Sequence, residues 1–80
     1  MTFKDAIVER FKQICTERKL SFTGLAHAAG VTPSTVYSLL NPKRRNANVT
    51  TVKKLCDGLE LSIVDFFNCD LFRDLMPEIE

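Results

Sequence analysis

A chain of 80 residues, 45% apolar and 26% charged, makes one ordinary globular domain: it buries only about 60% of its unfolded surface, so it cannot be divided, and neither disorder nor a fibrous repeat is indicated. No apolar stretch approaches the roughly 20 residues of a membrane helix and no signal-peptide pattern opens the chain. Cys15, Cys56 and Cys69 are odd in number without CxxC pairing, so the expectation is a cytoplasmic protein with no disulfide framework, metal or membrane partner. The net charge of +1 hides an asymmetry, since residues 1 to 64 carry ten Lys and Arg against five Asp and Glu, whereas residues 65 to 80 hold Arg73 against five acids; a basic body suits a polyanion and an acidic tail would be turned away from it.

Ile7, Phe11, Ile14, Cys15 and Arg18 recur at helical spacing between Phe3 and Lys19, predicting an amphipathic first helix with Lys4, Asp5, Glu9, Lys12, Gln13 and Glu17 mostly on its solvent side. Ser21 is a good N-cap for a second helix to Ala29, with Leu25, Ala26 and Ala29 inward and Gly30 as its stop. Thr32-Pro33 is a start signal, because threonine caps and proline at the first helical position forfeits no needed hydrogen bond. The third helix then has Val36, Leu39 and Leu40 as its inner stripe.

The run from Asn41 to Asn48 is a turn-rich loop holding three adjacent cations, Lys43, Arg44 and Arg45. Asn48 caps a fourth helix with a buried stripe of Val49, Val52, Leu55, Cys56 and Leu59, and Gly58 inside it costs about 1 kcal/mol relative to alanine. Ser62 and Asp65 have capping-box spacing at a short fifth helix through Ile63, Phe66 and Phe67, and one or two further turns are expected between Leu71 and Met76.

A short helix pair hinged at glycine, the second member polar on its outer face, is the core of a helix-turn-helix. Leu20-Ser21, Leu25-Ala26, Gly30-Val31-Thr32, Ser34-Thr35-Val36, Leu55 and Leu61-Ser62-Ile63 follow one another in an order that resembles the Xre-type helix-turn-helix domain of phage Cro and repressor proteins over residues 20 to 67. The resemblance implies an all-α, five-helix, lambda-repressor-like bundle with a short C-terminal extension. The expected division is 1–68 for the DNA-binding domain and 69–80 for an acidic, apolar tail. It also implies a non-enzymatic transcriptional regulator in a bacterial or phage host, a repressor binding an inverted-repeat operator as a homodimer, with helix 33–40 in the major groove. No cofactor or small-molecule substrate is expected.

With Val36 inward and 100° per residue, Ser34, Tyr37, Ser38 and Asn41 point outward, with Thr35 at the margin. The expected base contacts are Pro33, Ser34, Thr35, Tyr37 and Ser38, with Pro33 standing where many relatives carry a polar residue. Hydroxyls read either base type and the long side-chain forks worth about 1–3 kcal/mol per base are missing, so direct readout is modest. Phosphate contacts are expected from Lys43, Arg44 and Arg45, where the family touches phosphate, and from Ser21, Phe22, Thr32 and Asn41. Phe22 occupies a position where relatives often place glutamine, yet its helical angle favours packing. Glu60 stands where relatives often end the fourth helix with glycine, so an irregular end is expected.

His27, the only histidine, has no companions at ligand spacing and is expected at the surface. Phe66, Phe67, Leu71, Phe72, Leu75 and Met76 exceed the needs of so small a core, and Phe66, Phe67, Leu71, Phe72 and Leu75 are candidate dimer contacts. A different class of function, a protein-interaction adapter or antitoxin-like module whose tail binds a partner, accounts for the same tail and for the lack of long base-reading side chains.

Overall fold

Thr2 and Asp5 form a reciprocal capping box that starts the first helix: the Thr2 hydroxyl accepts from the Asp5 amide at 3.1 Å and the Asp5 carboxylate accepts from the Thr2 amide at 3.2 Å. This computed structural model describes residues 1–44, 47–75 and 77–79, and its elements are α1 (Phe3–Glu17), α2 (Phe22–Ala29), α3 (Pro33–Leu40), α4 (Val49–Gly58), α5 (Ile63–Phe67) and a 3-10 turn (Asp70–Phe72). Among the described residues there is no strand, so the fold is the expected all-α bundle of five helices. Ser62 caps α5 through its hydroxyl, which accepts from the Asp65 amide at 3.0 Å.

Three helices end in the same way. At the ends of α1, α2 and α4 the backbone turns left-handed at Lys19 (φ 53°), Gly30 (φ 69°) and Glu60 (φ 54°). The following amide reaches back to a carbonyl five residues earlier: Leu20 to Cys15 at 2.8 Å, Val31 to Ala26 at 3.0 Å and Leu61 to Cys56 at 2.9 Å. Leu20, Val31 and Leu61 then pack against the core, the apolar contact that accompanies this cap. The irregular end expected for the fourth helix is thus a regular cap with glutamate in the glycine position.

Phe11, Phe66, Ile7, Leu25, Leu55, Val36 and Cys56 are the largest fully buried side chains. Gly58 lies where α4 passes over the end of α2, and a Cβ there would stand 2.7 Å from the Ala29 backbone; the glycine permits that approach. From α1, the Arg10 guanidinium donates to the Phe66 carbonyl at 2.7 Å and the Asp65 carbonyl at 3.0 Å, and Arg18 donates to the Leu59 carbonyl. Arg10 of α1 and Arg18, the residue that follows it, therefore satisfy the carbonyl ends of α5 and α4, where the helix dipole favours positive charge.

Two sequence expectations are corrected here. Val49 is 76% exposed, because it is the first residue of α4 and the stripe that faces the core begins only at Val52. Lys4, placed on the solvent side by its charge, is 7% exposed, since it shares the face of Ile7, Val8 and Phe11. After α5 the chain folds back: Phe72 lies 4.8 Å from Phe67 and 6.0 Å from both Phe66 and Phe3, and the Phe3 amide donates to the Glu78 carboxylate at 3.1 Å.

Candidate nucleic-acid interface

The turn that aims α3 is built from the Gly30 cap, and Thr32 follows as the residue before the helix. Its hydroxyl makes no capping bond to the helix backbone, contrary to the reading of Thr32 as a side-chain cap; it meets the hydroxyls of Ser34 at 3.0 Å and Thr35 at 2.9 Å. Proline at the first helical position leaves no amide unsatisfied there, and the Thr35 amide donates to the Thr32 carbonyl at 3.0 Å instead of to its hydroxyl. The outcome is a cluster of three hydroxyls at the start of α3, whose rotors can present either a donor or an acceptor outward.

Along α3, Val36, Leu39 and Leu40 are buried, Ser34 and Tyr37 are exposed, and Pro33, Thr35 and Ser38 are half-buried. Ser34 and Tyr37 thus face outward as helical geometry draws them, Tyr37 at 53% exposure, whereas Ser38 and Asn41, drawn outward with them, are half-buried. Phe22 stacks edge-on against Tyr37 with ring centroids 6.1 Å apart and packs against the core, so its side chain props the tyrosine. Only its backbone amide, at the start of α2, remains to offer a phosphate.

A groove of about 310 Å³ runs beside α3, lined by Ser34, Thr35, Ser38, Leu39, Arg44, Asn48 and Thr51. Arg44 supplies its positive charge. Asn48 caps α4 at its edge, its side-chain oxygen accepting from the Thr50 amide at 2.8 Å and the Thr51 amide at 3.3 Å. Asn48 and Thr51 were not among the sequence candidates; the three-residue reach of an N-cap from Asn48 was the available signal for them. On the other flank, Tyr37, Phe22 and Ser21 line a second, open groove with Lys12 and Lys19. The Ser21 hydroxyl accepts from the Gly24 amide at 2.9 Å, which leaves its proton to donate outward.

The turn from Asn41 to Arg44 after α3 is held at both ends. The Asn41 side-chain oxygen accepts from the Lys43 amide at 2.9 Å, the Arg44 amide donates to the Asn41 carbonyl at 3.1 Å, and Lys4 Nζ donates to the carbonyls of Asn41 at 3.3 Å and Arg44 at 3.0 Å. Burial and the neighbouring Arg44 charge hold the Lys4 amine below the usual lysine range, partly opposed by Asp5. Lys43 and Arg44 remain exposed, whereas the expected contact at Arg45 lies outside the described residues.

This geometry is that of a helix pair presenting a polar face beside a cationic loop, and residues 10–71 match the sequence profile of the Cro/C1-type helix-turn-helix DNA-binding domain. The chain belongs to that family. A solved structure that it resembles is the crystal structure of the prophage Lp1 protein 11, with a TM-score of 0.80, 25% sequence identity, and coverage of 94% of this chain and 99% of that one. No curated protein matches the chain at a significant level. As a Cro/C1-type domain the protein is a DNA-binding regulator.

Phe66 is fully buried, 4.6 Å from Phe11, and has no surface with which to touch a second copy. Phe67, Leu71, Phe72 and Leu75 are half-buried, the first and third of them within the aromatic cluster around Phe3. His27 is exposed on α2. Among the described residues no helix is long and apolar enough to cross a membrane.

Proposed function

We propose that this Cro/C1-type domain is a sequence-specific transcriptional repressor that binds an inverted-repeat operator as a homodimer, with α3 in the major groove. The observation that carries the reading is the outward face of α3, Ser34, Tyr37 and the half-buried Thr35 and Ser38, set beside the exposed Lys43 and Arg44. Pro33, Ser34, Thr35, Tyr37 and Ser38 meet base edges, the hydroxyls accepting or donating and the proline ring and tyrosine edge contacting thymine methyls. Lys43, Arg44 and Arg45 meet phosphates, joined by the Ser21 and Thr32 hydroxyls, the Phe22 amide and the Asn41 side-chain amide, whose oxygen is already engaged within the loop.

An eight-residue helix with short side chains distinguishes few base pairs, so useful specificity requires two half-sites. A homodimer places two copies of α3 in successive major grooves about 34 Å apart, and the half-buried Phe67, Leu71, Phe72 and Leu75 are where its contact is sought. Repression follows from steric exclusion of polymerase at such a site.

The test is selection of bound duplexes from a random library, followed by salt titration. A palindrome with half-sites one helical turn apart is expected, and Arg44→Ala should weaken binding to all duplexes and flatten the salt slope by up to about 1 unit. Unselected sequence, or an Arg44→Ala variant with unchanged affinity and slope, refutes the reading.

A further inference from the structure

We infer that Lys4 is a positioning residue of the DNA-binding site: without touching DNA, it fixes the loop that carries Lys43 and Arg44 against the end of α3. The inference rests on the DNA-binding reading above for its functional consequence, but its structural half stands alone. Lys4 lies outside residues 10–71, the part of the chain that matches the family profile, so nothing in the family pattern draws attention to it.

Among the described residues Lys4 is the one charged side chain in the buried set, at 7% exposure. Its Nζ donates to the carbonyls at both ends of one turn, Asn41 and Arg44, which are themselves linked by the Arg44 amide. An ammonium that bridges the two ends of a turn fixes the distance between them. An apolar side chain of similar length would fill the same stripe of α1 beside Ile7 and Val8 at lower desolvation cost, so packing is no reason for a lysine here. The charge is also placed against its own interest, near Arg44, whose cation raises the cost of protonating Lys4.

These costs are met by a geometric result. With the carbonyls of Asn41 and Arg44 tied to α1, the Arg44 side chain leaves the loop at a fixed place on the wall of the groove beside Ser34 and Ser38. Untied, the same arginine keeps its charge and loses its pre-set position, so each phosphate contact must then order the loop as well. Lys4 thus acts through Arg44, and the two residues are coupled.

A double-mutant cycle with Lys4→Met and Arg44→Ala tests this, read by anisotropy on a labelled mixed-sequence duplex at about 50 mM salt. Circular dichroism verifies folding, and hydrogen exchange follows the Arg44 amide. Lys4→Met is expected to bind about tenfold more weakly than the parent, to cost clearly less than that on the Arg44→Ala background, and to lose protection at the Arg44 amide. Lys4→Arg, which keeps both charge and donors, should restore most of the affinity. If Lys4→Met fails to fold, Lys4→Gln, too short to span both carbonyls, is read in the same way. Parental affinity in Lys4→Met, or losses that add with those of Arg44→Ala, would overturn the inference. Absence of any duplex binding by the parent protein would refute the DNA-binding reading instead, and the exchange rate of the Arg44 amide would still decide whether Lys4 holds the loop.

Discussion

Gly58→Ala separates helix propensity from packing, because the two predict opposite signs. Gly58 is the last residue of α4, and propensity alone gives alanine an advantage of about 1 kcal/mol in a helix interior. The added Cβ, however, would sit 2.7 Å from both the Cα and the amide nitrogen of Ala29 and 2.9 Å from the carbonyl carbon of Ala28. These are backbone atoms, which no rotamer change can move aside. Relief to an ordinary 3.4 Å requires α2 and α4 to part by several tenths of an ångström, in a core where overpacking costs about 1–3 kcal/mol. The net expectation is a loss of up to about 2 kcal/mol, and for a domain of this size each 1 kcal/mol lowers the melting temperature by about 4–8 °C. A thermal melt followed by circular dichroism reads it directly. Since Ala29 precedes the Gly30 turn that aims α3, DNA affinity should fall with stability. A variant that melts at or above the parent temperature would refute the close-approach argument and return Gly58 to the status of a weak helix residue.

At the neighbouring cap the opposite change is expected to help. Glu60→Gly relieves a left-handed residue at φ 54° and should stabilise the fold by about 1 kcal/mol in urea unfolding; a loss would show that the glutamate side chain contributes more than its backbone costs. The cysteines should divide by burial: Cys69, half-buried, reacts with a thiol reagent in the folded protein, while Cys15 and Cys56 wait for unfolding. Burial, reinforced by Asp57, pushes the Cys56 thiol from 9.0 up to about 11, so between those values the unfolded chain loses a proton that the native state keeps. Stability should therefore fall as pH rises through that window, and the fall should be reduced in Cys56→Ala compared with its own neutral-pH stability.

The helix pair was legible because its signals are local. Ser21, Gly30 and Pro33 each act within a turn of their own position, and the inward stripe of Val36, Leu39 and Leu40 follows from period alone. What escaped the sequence was set by contacts between distant segments. Lys4 sits at i−3 and i−4 to Ile7 and Val8, so it shares the apolar face, but its reason for being there is a pair of carbonyls some 37 and 40 positions away. Gly58 read as a local cost because its partner is the backbone of another helix. Phe66 and Phe72 read as surplus apolar surface because the aromatic cluster that absorbs them also needs Phe3 from the beginning of α1. Val49 differs for another reason: it keeps the phase of the stripe, but as the first residue of α4 it lies ahead of the part that the core covers.

The link from Arg10 to Phe66 spans 56 positions, whereas α2 and α3 are joined by a turn of a few residues. On chain entropy alone, closing a loop of that length costs about 1.5 kcal/mol more than closing one of about 10 residues. The helices that present the groove can come together by a local closure, without α1, whereas the full docking of α1 needs the chain through Phe72. The contacts of Lys4, 37 and 40 positions long, fall between these two, so the scaffold of the interface is its local part and the cationic edge depends on a distant segment.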